Sequence, residues 1–398
     1  MGLSGAGVTM SMLGATAITA ATGDGAHGAL WTGAFLVVLF VTKAAVVRLV
    51  PSWSDHLGPE RLFLLTNLVL ILLWGGAGVL VVVGAPATTV VIALAPIAGV
   101  ANAVFTVESP LLSKEILAGH SMAAANARVF VVQGIACAIA AVIGGVLINV
   151  AGAGWAFLAR ALLSVPLALV VARLPRPAGA VVAHPGVSNA SGTAPEETDA
   201  GPSIMSDPAV RRVVLLAAVL TAAAAPVMAM IVPIAQSLRQ TPLVIGASIM
   251  LAAMSAGALL APGFVRLLED RQLRGRDPLS AALVVTGMTL AMFGIVSAVL
   301  TGRTELLAWV IIGLIFGGAE SASHSTVLGQ ILRVSDRFDR RRTFATLKFA
   351  MNLAAPFGFV IWAVLLDRTN GETAVLVAAV VLILVVLTFG RHRPTEEV

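Results

Sequence analysis

Charge is scarce in this chain: 11% of its 398 residues are Asp, Glu, Lys or Arg, against 58% hydrophobic residues. With a mean hydropathy of +0.98, that balance excludes a soluble globular domain and leaves an integral membrane protein. Segments of about 10 residues alternating polar and apolar are absent, which excludes a transmembrane barrel and leaves helices. Cys137 is the single cysteine, so there is no intramolecular disulfide and no multi-cysteine metal site. No basic residue precedes Lys43, so Gly2 to Ala21 reads as a retained first span, not a cleavable signal peptide. A glycine-rich loop followed by Lys-Ser or Lys-Thr is missing as well, which argues against ATP as the energy source. The six histidines are scattered and build no metal site or nucleophile–base set, so neither an enzyme, a metal nor a cofactor is expected.

What is present is a succession of apolar runs, each about 20 residues long and so long enough to cross a bilayer as a helix. In the first half they are 3–22, 27–50, 62–83, 88–109, 127–150 and 154–174. In the second they are 209–235, 243–265, 279–300, 306–331, 343–366 and 373–390. The expected fold is therefore an all-α membrane protein of twelve transmembrane helices. Its parts are a six-helix half over 1–174, a linker over 175–208, a second six-helix half over 209–390 and a tail over 391–398.

Lys and Arg orient the runs. With the N-terminus in the cytoplasm, twenty basic residues fall in inside loops and flanks, and only Arg239, Arg303 and Arg368 fall outside. Both termini, the tail and the linker then face the cytoplasm, as expected for a multi-pass protein of the cell (inner) membrane. The same distribution accounts for the net charge of +5 without nucleic acid as a partner. The linker carries Pro175, Pro177, Pro185, Pro195, Pro202 and Pro208 with Glu196, Glu197 and Asp199, a composition that cannot pack a face and reads as a flexible tether.

The halves also resemble each other. Arg128-x-Phe130 followed by Ala140-Ala141-x-x-Gly144 recurs as Arg342-x-Phe344 followed by Ala354-Ala355-x-x-Gly358, at a constant offset of 342 − 128 = 214. This is the trace of an internal repeat, and it makes the two halves six-helix pseudo-repeats.

Two six-helix halves, a long central loop and a repeat between the fifth and eleventh spans together resemble the major facilitator superfamily. The loop from Pro51 to Arg61 is similar to that family's signature loop: Asp55, Gly58 and Arg61 fit, while Pro51 and Glu60 depart from it. From Ala123 to Ala159 the pattern resembles the drug and siderophore exporters of the superfamily, through Ala125-Asn126-Ala127 and Gly144-Gly145. The proline expected before that pair is replaced by Ala141, and the arginine common in the fourth span of proton-coupled exporters is absent. The resemblance implies a monomeric secondary transporter working by alternating access. It would export an amphipathic organic compound, drug-like or self-made, by proton antiport. The rivals are proton-coupled uptake of a small metabolite and a non-transporting membrane sensor or enzyme.

A charged side chain near the bilayer centre costs about 2.5–3.5 kcal/mol on insertion scales, so each one calls for a partner, a wet cavity or a role. Glu320 and His324 stand four apart in the tenth span, on one helical face, and are the proton-coupling candidates. The competing reading is a structural hydrogen-bonded pair. Substrate-cavity candidates are Arg160, Gln133, Asn102, Met228, Met254 and Asn352. Arg160 lies too deep for easy snorkelling, Gln133 and Asn102 offer interhelical hydrogen bonds, and the methionines offer an adaptable lining or simple packing. Lys43 is expected to snorkel to the inner interface, Lys348 to serve a gate or interface, and Asp24 and Glu108 to lie at the membrane edges. Gating candidates are Asp55, Gly58 and Arg61 in the first half and Asp339 and Arg342 in the second, as ion pairs that form in one state of the transport cycle; positive-inside charge is the alternative for the last two.

Overall fold

The structure is a computed structural model that describes residues 2–21, 27–116, 122–173, 205, 207–237, 243–273, 278–300, 302–334 and 340–389. Among the described residues every regular element is helical. The elements are α1 (Gly2–Ala20), α2 (Gly28–Val47), α3 (Val50–Leu57), α4 (Pro59–Val82), α5 (Ala87–Ile116), α6 (Met122–Ala151) and α7 (Ala153–Arg173). There follow α8 (Pro208–Ala229), α9 (Ile231–Ser237), α10 (Leu243–Gly257), a 3₁₀ turn (Ala258–Leu260) and α11 (Ala261–Leu273). The last are α12 (Pro278–Val299), α13 (Gly302–Val334), α14 (Arg340–Arg368) and α15 (Gly371–Phe389). Eleven of the described helical stretches are long and apolar enough to cross a membrane, and Gly5–Ala20 is a shorter apolar helix. Large apolar side chains point outward along them, among them Leu72, Val150, Leu162 and Val299, each more than 70% exposed. Only an apolar solvent tolerates such a surface.

The elements start and break where the chain's chemistry requires. Pro51 and Pro59 stand in the first turns of α3 and α4, where a missing N–H costs nothing. Between them Gly58 adopts φ 80°, ψ 143°, a conformation that strains any residue with a Cβ. The run expected to be one span over 27–50 therefore ends near Val47, and α3 turns off it. Pro262 cannot donate to the Ala258 carbonyl, and the helix tightens there into the 3₁₀ turn that separates α10 from α11. The expected span 243–265 is in fact α10, this turn and the start of α11, together one apolar crossing from Leu243 to Leu267. Asp207 caps α8 through the Val210 N–H at 3.3 Å, and Asn370 caps α15 through the Thr373 N–H at 3.0 Å.

Helix pairing follows a rule. In the first set of six long helices α1 packs on α6 and α7, α2 on α5, and α4 on α5 and α7. In the second set α8 packs on α14 and α15, α10 on α13, and α12 on α13 and α15. Taken in order, the pairs of the first set recur in the second. The 214-residue offset reappears in the packing itself: Gly144 lies against Met10 and Leu13 of α1, and Gly358 lies against Ala222 of α8. Both glycines give room for the first helix of their own set to approach.

Two seams join the sets, α2 with α14 and α6 with α10. They too are exchanged when one set is laid on the other. Serine and threonine hydroxyls inside the bundle bond back to carbonyls of their own helices. A few cross between helices, such as Thr19 with Thr32 at 2.9 Å and Thr286 with Ser323 at 3.2 Å.

Candidate functional site

Glu320 lies well inside α13, far from either helix end. His324, one turn on, places its Nδ1 3.1 Å from Glu320 Oε1 and 3.2 Å from the Glu320 backbone oxygen. A carbonyl only accepts, so Nδ1 carries the hydrogen and donates to both oxygens. Proton uptake and release by the ring thus fall to Nε2. The two side chains keep 19% and 24% of their exposure, so they are not completely sealed in packing.

The charges that act on this pair come from across the bundle. Lys348 of α14 interacts electrostatically with both Glu320 and His324, and with Lys43 of α2. Each lysine is held by a ring of its own helix: Lys43 Nζ lies 5.2 Å from the Phe40 centroid, and Lys348 Nζ 5.4 Å from that of Phe344. The seam sets their level. Phe40 packs on Phe359 with centroids 5.0 Å apart, and the Arg48 guanidinium stacks 3.7 Å from the Phe349 centroid. Lys43 stands between those two contacts along α2. Gly99 of α5 lets the backbone at Leu39 and Lys43 come close.

Asn352 is one turn from Lys348 on the same face of α14 and is 3% exposed. Its Nδ2 meets no acceptor among the described residues. Lys348 thus connects a carboxylate and an imidazole on α13 with a second lysine on α2, and the Asn352 amide lies one turn from it on α14. Lys43 was expected to snorkel and Lys348 to serve a gate or interface. Their meeting is invisible in the sequence because it depends on the register of α2 against α14, helices some 300 residues apart in the chain.

The remaining candidates are placed elsewhere. Arg160 is almost fully buried, its side chain against Gly7 of α1, where a Cβ would stand 2.7 Å from Arg160 Cδ. Gln133 occupies the neighbouring side of α1 in the same way, its Cγ 2.7 Å from a Cβ at Gly5. Met254 is buried, with its backbone against Gly317 and its Cγ 3.5 Å from a Cβ at Gly313. Met228 is partly buried against the main core. Asn102 is partly buried on α5, and its carbonyl accepts from Thr106 at 2.6 Å. Glu108, expected at a membrane edge, has no exposed surface. Asp55 and Arg61 are exposed on either side of Gly58. Asp339, Asp24, the side chain of Arg342, nearly all of the linker and the C-terminal tail lie outside the described residues. Among the described residues no group of three or more His, Cys, Asp and Glu is placed to hold a metal ion.

At the far end of the α2/α14 seam from the termini, His27 Nδ1 stands 3.2 Å from Asp367 Oδ1.

Among solved structures the chain is similar to a mutant of the nucleoside transporter NupG, with TM-score 0.63 and 12% identity over 97% of this chain and 98% of that one. A second structure of nucleoside transporter NupG gives TM-score 0.61 and 12% identity over 99% and 100% of the two chains. At that identity the likeness is one of fold. No curated protein sequence matches the chain. The sequence profile of the Major Facilitator Superfamily, however, matches residues 1–332. With that match over most of its length, and with two sets of helices paired by one rule, the chain belongs to the Major Facilitator Superfamily.

Proposed function

We propose that this membrane transporter is proton-coupled and moves a small amphipathic organic solute by alternating access, with the solute held between its two six-helix halves. In this reading α1 is the first of twelve crossings, 175–208 is a cytoplasmic tether, and both termini face the cytoplasm of the cell whose inner membrane holds the protein as a monomer. The observation that carries it is the Glu320–His324 pair. Two titratable groups share a hydrogen bond inside a membrane bundle, keep part of their side-chain exposure and feel a lysine contributed by another helix. A merely structural pair has no need of that access.

Two directions are compatible with proton coupling. Export by antiport is supported by the resemblance around Ala125-Asn126-Ala127 and Gly144-Gly145. Uptake by symport is favoured by a specific observation, the two lysines that face the proton-binding pair. Positive charge attracts an anion, and a proton bound nearby strengthens that attraction. Asp55 and Arg61 at one end of the bundle, together with Asp339 and Arg342, are the proposed gate of that end.

The test is solute-driven proton movement in proteoliposomes. Wild-type protein is expected to move protons when a transported solute is added on one side, with the sign distinguishing symport from antiport. Glu320→Gln is expected to reduce proton movement at least tenfold while the protein remains folded. Proton movement unchanged in Glu320→Gln would place the coupling group elsewhere.

A further inference from the structure

Charge does not balance around the proton-coupling pair. Lys43 and Lys348 bring two positive charges to a space in which Glu320 supplies one negative charge, and His324 adds none or one more positive. Each ammonium has a ring of its own helix beneath it, but a ring face offers no lone pair to an N–H. The buried Asn352 amide, one turn from Lys348 on α14, has donor capacity that no described acceptor uses. Buried donors without acceptors are costly and rare. Here they point to a ligand that brings oxygens.

We propose that Lys43, Lys348 and the Asn352 amide form an oxyanion site that takes the carboxylate, phosphate or sulfonate head of an anionic organic substrate. The inference rests on the transport reading and names the class of its cargo. One lysine comes from each half of the molecule, so the anion bridges α2 and α14 at a seam that alternating access must work. Occupancy replaces the repulsion between Lys43 and Lys348 by two attractions.

The same charges tie the anion to the proton. The groups that act on His324 and Glu320 are each other and Lys348, which in turn acts on Lys43. Of the other elements packed against α13, α10 and α12 carry no charged side chain, while Arg266 of α11 and Arg211 and Arg212 of α8 are not among the groups that act on the pair. A proton added to the pair raises the positive charge facing the substrate, so anion and proton bind each other's complex more tightly, by the same factor in both directions. They therefore travel together, which is symport.

Thermal stabilisation of the purified full-length protein in detergent tests this. The probes are benzoate, benzenesulfonate, benzylamine and benzyl alcohol, which share a ring and differ in head charge. The two anions are expected to raise the melting temperature of the wild type, and to do so at lower concentration as pH falls from 8 to 6; benzenesulfonate itself stays ionised throughout. Lys43→Gln and Lys348→Gln are each expected to raise the half-saturating concentration tenfold or more, while Lys348→Arg retains binding and controls for folding. Asn352→Ala is expected to weaken binding by a smaller factor. The inference is overturned if benzylamine stabilises as well as the anions, if neither anion stabilises the wild type, or if the lysine variants bind the anions unchanged. Uptake into proteoliposomes is read separately. Anion binding without transport would strike the transport reading alone, and transport of a cation without anion binding would strike this inference alone.

Discussion

The two seams between the halves occupy equivalent places yet are built from opposite materials. In the α2/α14 seam stand Lys43, Lys348 and Phe359. Their counterparts at the 214-residue offset in the α6/α10 seam are Gly257 (257 − 43 = 214), Gly134 (348 − 134 = 214) and Gly145 (359 − 145 = 214). Every one of the three large side chains faces a glycine across the pseudo-symmetry. The glycines are there because backbones meet. Across the α6/α10 seam a Cβ at Gly134 would stand 2.6 Å from the Ser255 oxygen and 2.7 Å from Ala258 Cβ, and one at Gly145 would meet the Ser248 side chain; Gly257 instead gives room to α13, where a Cβ would stand 2.9 Å from the Gly318 nitrogen. Small residues let helices approach closely in lipid, where dispersion and weak hydrogen bonds do the holding. One seam is therefore a backbone-to-backbone joint and the other a lining of long, polar and aromatic side chains. A duplicated fold has here kept the pairing and divided the labour, with the joint on one side and the chemistry on the other.

The sharpest way to break that contrast is to exchange its members. Gly134→Lys copies Lys348 into the tight seam. It adds a charge that costs about 3 kcal/mol near the bilayer centre and bulk that costs about 1–3 kcal/mol more. Loss of folded protein is expected, read as the monodisperse fraction after solubilisation, whereas Lys348→Gly should stay folded and lose only solute and proton binding. Comparable yields from the two would remove the distinction. Gly145→Leu comes next: it keeps the seam apolar but forces it apart, and should cost about 1–3 kcal/mol in thermal or denaturant unfolding. Phe40→Leu in the other seam gives up the stack on Phe359, worth about 0.5–1.5 kcal/mol beyond area. A loss larger than that of Gly145→Leu would reverse the assignment of joint and lining. The smallest effect is expected of His27→Asn, which removes a largely exposed pair with Asp367 and should cost less than about 1 kcal/mol. A measured loss of several kcal/mol would make that pair a principal clamp of the seam.

Much of this architecture is legible from apolar run lengths, because a helix that must bury its own hydrogen bonds in lipid leaves a long signature in the chain. The runs agree with the helices to within a few residues over α4, α7 and α12. They miss the turn of α3 away from α2 and the 3₁₀ turn before Pro262, where a local backbone requirement interrupts a run that is apolar throughout. Of the candidate site, the i, i+4 spacing of Glu320 and His324 is visible in one dimension because one helix supplies both. Arg160 and Gln133 illustrate the limit. Polarity marks them, but the face each turns to α1 is decided by Gly7 and Gly5, whose missing side chains give no signal of what they accommodate.

By itself, then, the sequence determined the solvent, the order of the apolar runs, the repeat at 214 residues and the i, i+4 pairing of Glu320 with His324. Each of these depends on contacts within one helix or on composition over a span. Only the tertiary structure decided that Lys43 of α2 comes within electrostatic reach of Lys348 of α14, and which glycines let helices meet. The physical reason is that interhelical register in a membrane is set by close packing of many small contacts, none strong enough to be read singly.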